Sequence, residues 1–157
     1  MNESDAKKPW YEQRDPVPSL ENDETKVVWD VPQIVDRRPD NNAIKPDMIY
    51  TDKVNKRIIF IEGTVCTVGF IEQRRKDKQE KYTQLRKSFK RIYKDHQVSQ
   101  VNIVFDFLAN YEKNLELELK TILSEKHTRN LVINQSQKWI LSKNCKIVEH
   151  FYQFREL

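Results

Sequence analysis

Between Arg57 and Val65 the chain reads RIIFIEGTV, an apolar run of strand length broken by a single carboxylate, Glu62. An ion is almost never buried without a partner, so the run predicts a buried strand and something close by that neutralises Glu62. Just upstream, Asp47 to Thr51 (DMIYT) is a second stretch of large apolar, aromatic and β-branched residues, and the link Asp52-Lys53-Val54-Asn55-Lys56 is polar. That is the pattern of two strands joined by a short turn. With the turn centred on Val54 and Asn55, residues facing one another have numbers that sum to a constant. Thr51 then faces Ile58, Ile49 faces Phe60, and Asp47 faces Glu62, the two acids lying on one face with Cβ atoms roughly 5 Å apart.

Two carboxylates at that separation repel one another, and a divalent cation between them is the natural remedy. Mg²⁺ or Mn²⁺ takes oxygen ligands, accepts one or two carboxylates plus waters, and completes its shell with phosphate oxygens of a substrate. Asp47 and Glu62 are therefore the candidate metal ligands.

After Thr67-Val68-Gly69 a helix is expected from about Phe70 to Lys94, with Tyr82, Leu85, Phe89, Ile92 and Tyr93 forming one buried stripe at spacings of three and four. Lys78 and Lys81 lie on the same side, where their stems can run along the stripe and lift an ammonium toward Asp47 and Glu62. The segment holds ten bases against three acids, Glu72, Asp77 and Glu80. Such a surplus beside a metal site is the footprint of phosphate-backbone contact, and Arg74, Arg75, Lys76 and Lys87 are the candidate nucleic-acid-binding residues.

The remaining elements frame this centre. Residues 1–26 mix acids with Pro9, Pro16 and Pro18 and are expected to form a disordered acidic arm, leaving 27–157 as one domain. Val27 to Val35, bent at Pro32, suits an edge strand. Val101 to Leu108 suits a strand ended by Asp106, Glu112 to Ser124 a helix, and Leu131 to Phe154 one or two more. The sum is an α/β (α+β) fold, a mixed sheet flanked by helices. With glycine only at positions 63 and 69 there is no Gly-rich phosphate loop, which argues against a nucleotide-cofactor enzyme. The two cysteines, Cys66 and Cys145, argue against a disulfide framework, and no run is long and apolar enough for a bilayer span, so a soluble, intracellular protein is expected. No partner at metal-ligand spacing accompanies His127 or His150.

A proline before the first acid, an acid in the next strand and lysines soon after are similar to the PD-(D/E)xK nuclease superfamily. Trp29-Asp30-Val31-Pro32, Val35-Asp36-Arg37, Lys45-Pro46-Asp47-Met48-Ile49, Ile59 to Thr64, then Lys78 with Lys81-Tyr82 and Leu85, resemble the restriction-enzyme-like endonuclease domain of non-LTR retrotransposons. The resemblance covers about residues 27 to 109 well. It implies a PD-(D/E)xK restriction-endonuclease-like fold, a Mg²⁺- or Mn²⁺-dependent hydrolase that nicks target DNA, a reverse transcriptase in the same element as partner, and action in the nucleus. By this likeness Asp47 and Glu62 bind the metal and Lys78 or Lys81 acts in catalysis, while Asp30 and Asp36, at family-matching positions, are further metal-ligand candidates with capping or turn roles as the alternative. Thr64 stands where the superfamily has a lysine, and the Cys/His zinc cluster that often precedes this domain is absent. Two alternatives follow: a catalytically inactive nucleic-acid-binding remnant, or an RNA endonuclease of the cap-snatching type. That second type uses an upstream histidine, whereas all three histidines here lie downstream of Glu62.

Overall fold

The structure is a computed structural model and describes residues 19–31, 33 and 44–153. It is a mixed α/β fold: a five-stranded mixed sheet with four helices. The strands, β1 (Ser19–Glu21), β2 (Thr25–Trp29), β3 (Met48–Asp52), β4 (Arg57–Cys66) and β5 (Gln97–Asp106), lie side by side in chain order. The first four form an antiparallel meander, and β5 pairs parallel to β4. A parallel neighbour needs a long crossover, and here it consists of α1 (Ile71–Lys81) and α2 (Thr83–Ile92). Helices α3 (Asn114–Lys120) and α4 (Lys126–Gln153) follow.

The hairpin register is the expected one, with Thr51 opposite Ile58 and Ile49 opposite Phe60. Strand β4 is covered on both faces, so Ile58, Ile59 and Phe60 are all buried, as a strand interior to a two-sided sheet requires. Ile58 and Phe60 pack with Ile44, Ile49, Tyr82, Leu85 and Val98 under α1 and α2. On the opposite face Phe105 packs with Leu115, Leu119, Ile133 and Ile140 of α3 and α4.

Three expectations need correction. Ser19–Glu21, assigned to the arm, is a strand that pairs with β2, so the sheet begins before residue 27 and β2 is interior rather than an edge. The Asn22 carboxamide oxygen accepts the N–H groups of Thr25 (2.6 Å) and Glu24 (2.9 Å) and so closes the turn between the two, an Asx turn that short polar side chains favour. Residues 1–18 lie outside the described residues. The single helix over 70–94 is two helices broken at Tyr82. There the Gln79 carbonyl accepts the Thr83 hydroxyl (2.9 Å) and Arg86 Nη2 (3.1 Å), side chains substituting for helical backbone pairing. The buried stripe stops at Phe89, and Ile92 and Tyr93 are exposed. Finally, β5 starts four residues earlier than expected and ends at Asp106.

Candidate active site on the hairpin

Extending the β3–β4 register by one pair beyond Met48↔Ile61 brings Asp47 opposite Glu62, and the two acids hold one another's strands. The Asp47 N–H donates to Glu62 Oε1 at 2.9 Å, and the Gly63 N–H donates to Asp47 Oδ2 at 2.8 Å. Each carboxylate thus satisfies a backbone donor of the facing strand where the regular ladder has ended. A side chain at Gly63 would stand 3.7 Å from Asp47 Oδ2, ordinary contact, so space alone does not demand glycine there.

The environments of the two acids differ. Glu62 is 1 % exposed and Asp47 is exposed. What neutralises Glu62 is Lys78, whose Nζ lies 2.8 Å from Oε2. Position 78 lies near the end of α1, the helix that crosses over this face of the sheet. Its backbone is held from below: the Gln100 carboxamide nitrogen donates to the Lys78 carbonyl (3.1 Å) and to Asn102 Oδ1 (2.7 Å). Asn102 is the β5 neighbour of Glu62.

The segment Lys45-Pro46-Asp47 is clasped along its whole length. Tyr82, wholly buried, donates its hydroxyl to the Lys45 carbonyl (3.1 Å), Pro46 is buried, and the Asp30 N–H donates to the Asp47 carbonyl (3.2 Å). Burial pushes the Tyr82 hydroxyl well above the ordinary tyrosine pKa, and its contact with Glu62 and the charges of Glu62 and Asp47 push it the same way. Tyr82 therefore stays protonated and acts as a donor at any working pH. Sequence reasoning placed Tyr82 in the apolar stripe and missed its hydroxyl. Gln100 was missed as well, although two amides alternating through an apolar strand (Gln100, Asn102) signal a polar strip on one face.

The other candidates divide. Lys81 is exposed, with its Nζ 4.9 Å from the centroid of the Tyr82 ring, and of the two helix lysines it is Lys78 that reaches the acids. Exposed Asp30 is paired with Lys45 (2.7 Å), and Asp36 lies outside the described residues. Arg75, offered as a phosphate-binding residue, is turned inward onto Glu118 (3.3 Å) and Glu112 (3.8 Å), because Glu118 of α3 and Glu112 in the segment before it face that side of α1. Arg74 and Lys76 are exposed and bound on their own helix to Asp77 (3.7 Å) and Glu72 (2.8 Å). Such surface pairs are weak and exchange readily for a phosphate. Lys87 is exposed on α2.

The exposed Asp47 carboxylate is the kind of oxygen ligand that a hard divalent cation takes with water completing its shell, whereas both oxygens of Glu62 already accept hydrogen bonds. Exposed Asp47 is reachable from solvent and Glu62 adjoins it. An all-protein cage is a different arrangement, and among the described residues no three His, Cys, Asp or Glu side chains come together to make one. No known protein family and no curated protein matches the chain.

Proposed function

We propose that the chain is a metal-dependent nuclease domain of the PD-(D/E)xK, restriction-endonuclease-like type that hydrolyses a phosphodiester of DNA. The observation carrying this reading is the trio on one face of the sheet: Asp47 and Glu62 bonded to each other's strands, with the Lys78 ammonium 2.8 Å from Glu62. A bound Mg²⁺ or Mn²⁺ supplies charge stabilisation and lowers the pKa of an attacking water. Asp47, exposed, presents the first carboxylate. Glu62 is oriented by the Asp47 N–H and Lys78, so it is preorganised and loses little entropy on use. Lys78 orients a water or stabilises the charge that develops on the phosphate, the part that Thr64 cannot take. Tyr82 and Gln100 hold the backbone on which Asp47 and Lys78 are mounted. The exposed bases Arg74, Lys76 and Lys87 support contact with the phosphate backbone.

A second reading, a binding domain without catalysis, draws on the same contacts. Both Glu62 oxygens already have donors, which is the arrangement of a structural ion pair. Supercoiled plasmid with Mn²⁺ separates the two. The nuclease reading expects nicking by the wild-type chain and a loss of about 100-fold or more in Asp47→Ala. Absence of nicking, or equal nicking by the variant, favours the binding domain. Because Asp47 is exposed, this substitution leaves the buried core intact.

A further inference from the structure

A second surface lies on the opposite face of the sheet from Glu62 and shares only Gly63 with the site described above. At the carboxyl ends of the parallel strands β4 and β5 a cleft of about 600 Å³ opens between the sheet and α4. Gly63, Val65, Ile103 and Phe105 form its floor, and Trp139 and Gln135 stand at its α4 side. Trp139 is 61 % exposed, although a tryptophan usually contributes its area to a core.

The charge on α4 says what this aromatic surface suits. From Lys126 to Val148 the helix carries five bases, Lys126, Arg129, Lys138, Lys143 and Lys146, and no acid. At about 100° per residue, Gln135, Ser136, Trp139, Lys143 and Lys146 fall within about 100° of arc, on the side of the cleft. Lys143 Nζ lies 5.7 Å from the Trp139 ring centroid. By contrast the exposed apolar residues Leu131, Ile147 and the pair Leu141/Val148 point to three different sides and make no continuous stripe for a partner helix. A planar aromatic surface flanked by amides and lysines is complementary to a nucleobase with its phosphate.

We propose that the Trp139 face of α4 binds an unpaired DNA strand, with one base stacked on Trp139 in the mouth of the cleft and the neighbouring phosphates on Lys143 and Lys146. Gly63 belongs to both places: its N–H holds Asp47, and it also lines the cleft. This deepens the nuclease reading by specifying the form of the substrate, and it is measured without metal so that the two can fail separately.

The experiment is fluorescence anisotropy of a labelled oligothymidylate with the full chain in EDTA. Trp139→Ala is expected to weaken binding by roughly 5- to 150-fold, the range for loss of one stacked base, and Trp139→Phe to keep most of the affinity. Lys143→Gln is expected to reduce the slope of log affinity against log salt by about 0.7. Both residues are exposed, so the variants fold. Equal binding by wild type and Trp139→Ala overturns the proposal, as does a fall in molecular mass of Trp139→Ala in light scattering, which makes the face a protein interface. Trp139-dependent binding by a chain that never nicks plasmid removes the nuclease reading alone; nicking with Trp139-independent binding removes this one alone.

Discussion

Glu62 occupies a position where an isoleucine would cost less, and its partner defines what that acid can do. A buried ion pair contributes little to stability against an apolar replacement, yet breaking it from one side is costly. Lys78→Met is therefore expected to lower the unfolding free energy by about 3 kcal/mol, measured by urea titration, while the double variant Glu62→Leu with Lys78→Met recovers most of that loss. Lys81→Met, removing an exposed lysine that lies over Tyr82, is expected to change stability by less than about 0.5 kcal/mol. Equal losses for the two lysines would show that Lys78 is not the counter-charge. Tyr82→Phe removes the donor to the Lys45 carbonyl in a buried place and is expected to cost about 1 to 2 kcal/mol in the same titration.

At the scale of the element, the hairpin is tied by its own turn. Asp52 accepts the Asn55 N–H (2.8 Å), the Asn55 side chain (2.9 Å) and Arg57 Nη2 (2.7 Å). The backbone N–H first, then Arg57 and the Asn55 amide, hold its pKa down to about 2. A depressed carboxylate pKa means that the stabilisation is complete above the ordinary aspartate value and disappears as pH falls through about 2. Asp52→Asn is expected to cost about 1 to 2 kcal/mol at neutral pH, with the gap in Tm to wild type narrowing as the solution is acidified below about pH 4. A constant gap would assign the cost to something other than charge. This element was legible in the sequence because a strand's period of two and a polar five-residue link leave little freedom of register. The break at Tyr82 was not legible: spacings of three and four continue through it, and the residue at the break is tied by its hydroxyl to a loop 37 residues upstream, a contact no local pattern carries. Strand β1 was hidden for a related reason, since three residues beside prolines carry no periodicity of their own and gain it only from β2.

For the whole molecule, the open side of β5 matters most. An unpaired strand edge invites association with other chains, and here the Asn102 N–H at that edge donates to Glu118 Oε2 (2.7 Å) while Arg75 holds the same carboxylate. A helix surplus of positive charge reads from sequence as a binding surface, but which bases face inward depends on acids far along the chain, here Glu112 and Glu118, and so the inward pairing of Arg75 was not legible. Arg75→Gln is expected to lower Tm by several degrees and to leave duplex binding unchanged, whereas Lys87→Gln does the reverse, reducing the salt slope of duplex binding by about 0.9. A lost slope in Arg75→Gln would return that residue to the binding surface.

The parallel pairing of β4 with β5 has a kinetic consequence. Asp47 meets Glu62 across a local turn, the kind of closure that takes microseconds, whereas Lys78 is carried on α1, whose backbone is held at that residue by Gln100 of β5. Seating of Lys78 is therefore expected to follow the docking of β5, and Lys78→Met to accelerate unfolding chiefly while altering the refolding rate little; an equal slowing of refolding in stopped-flow kinetics would place the pair in the folding nucleus.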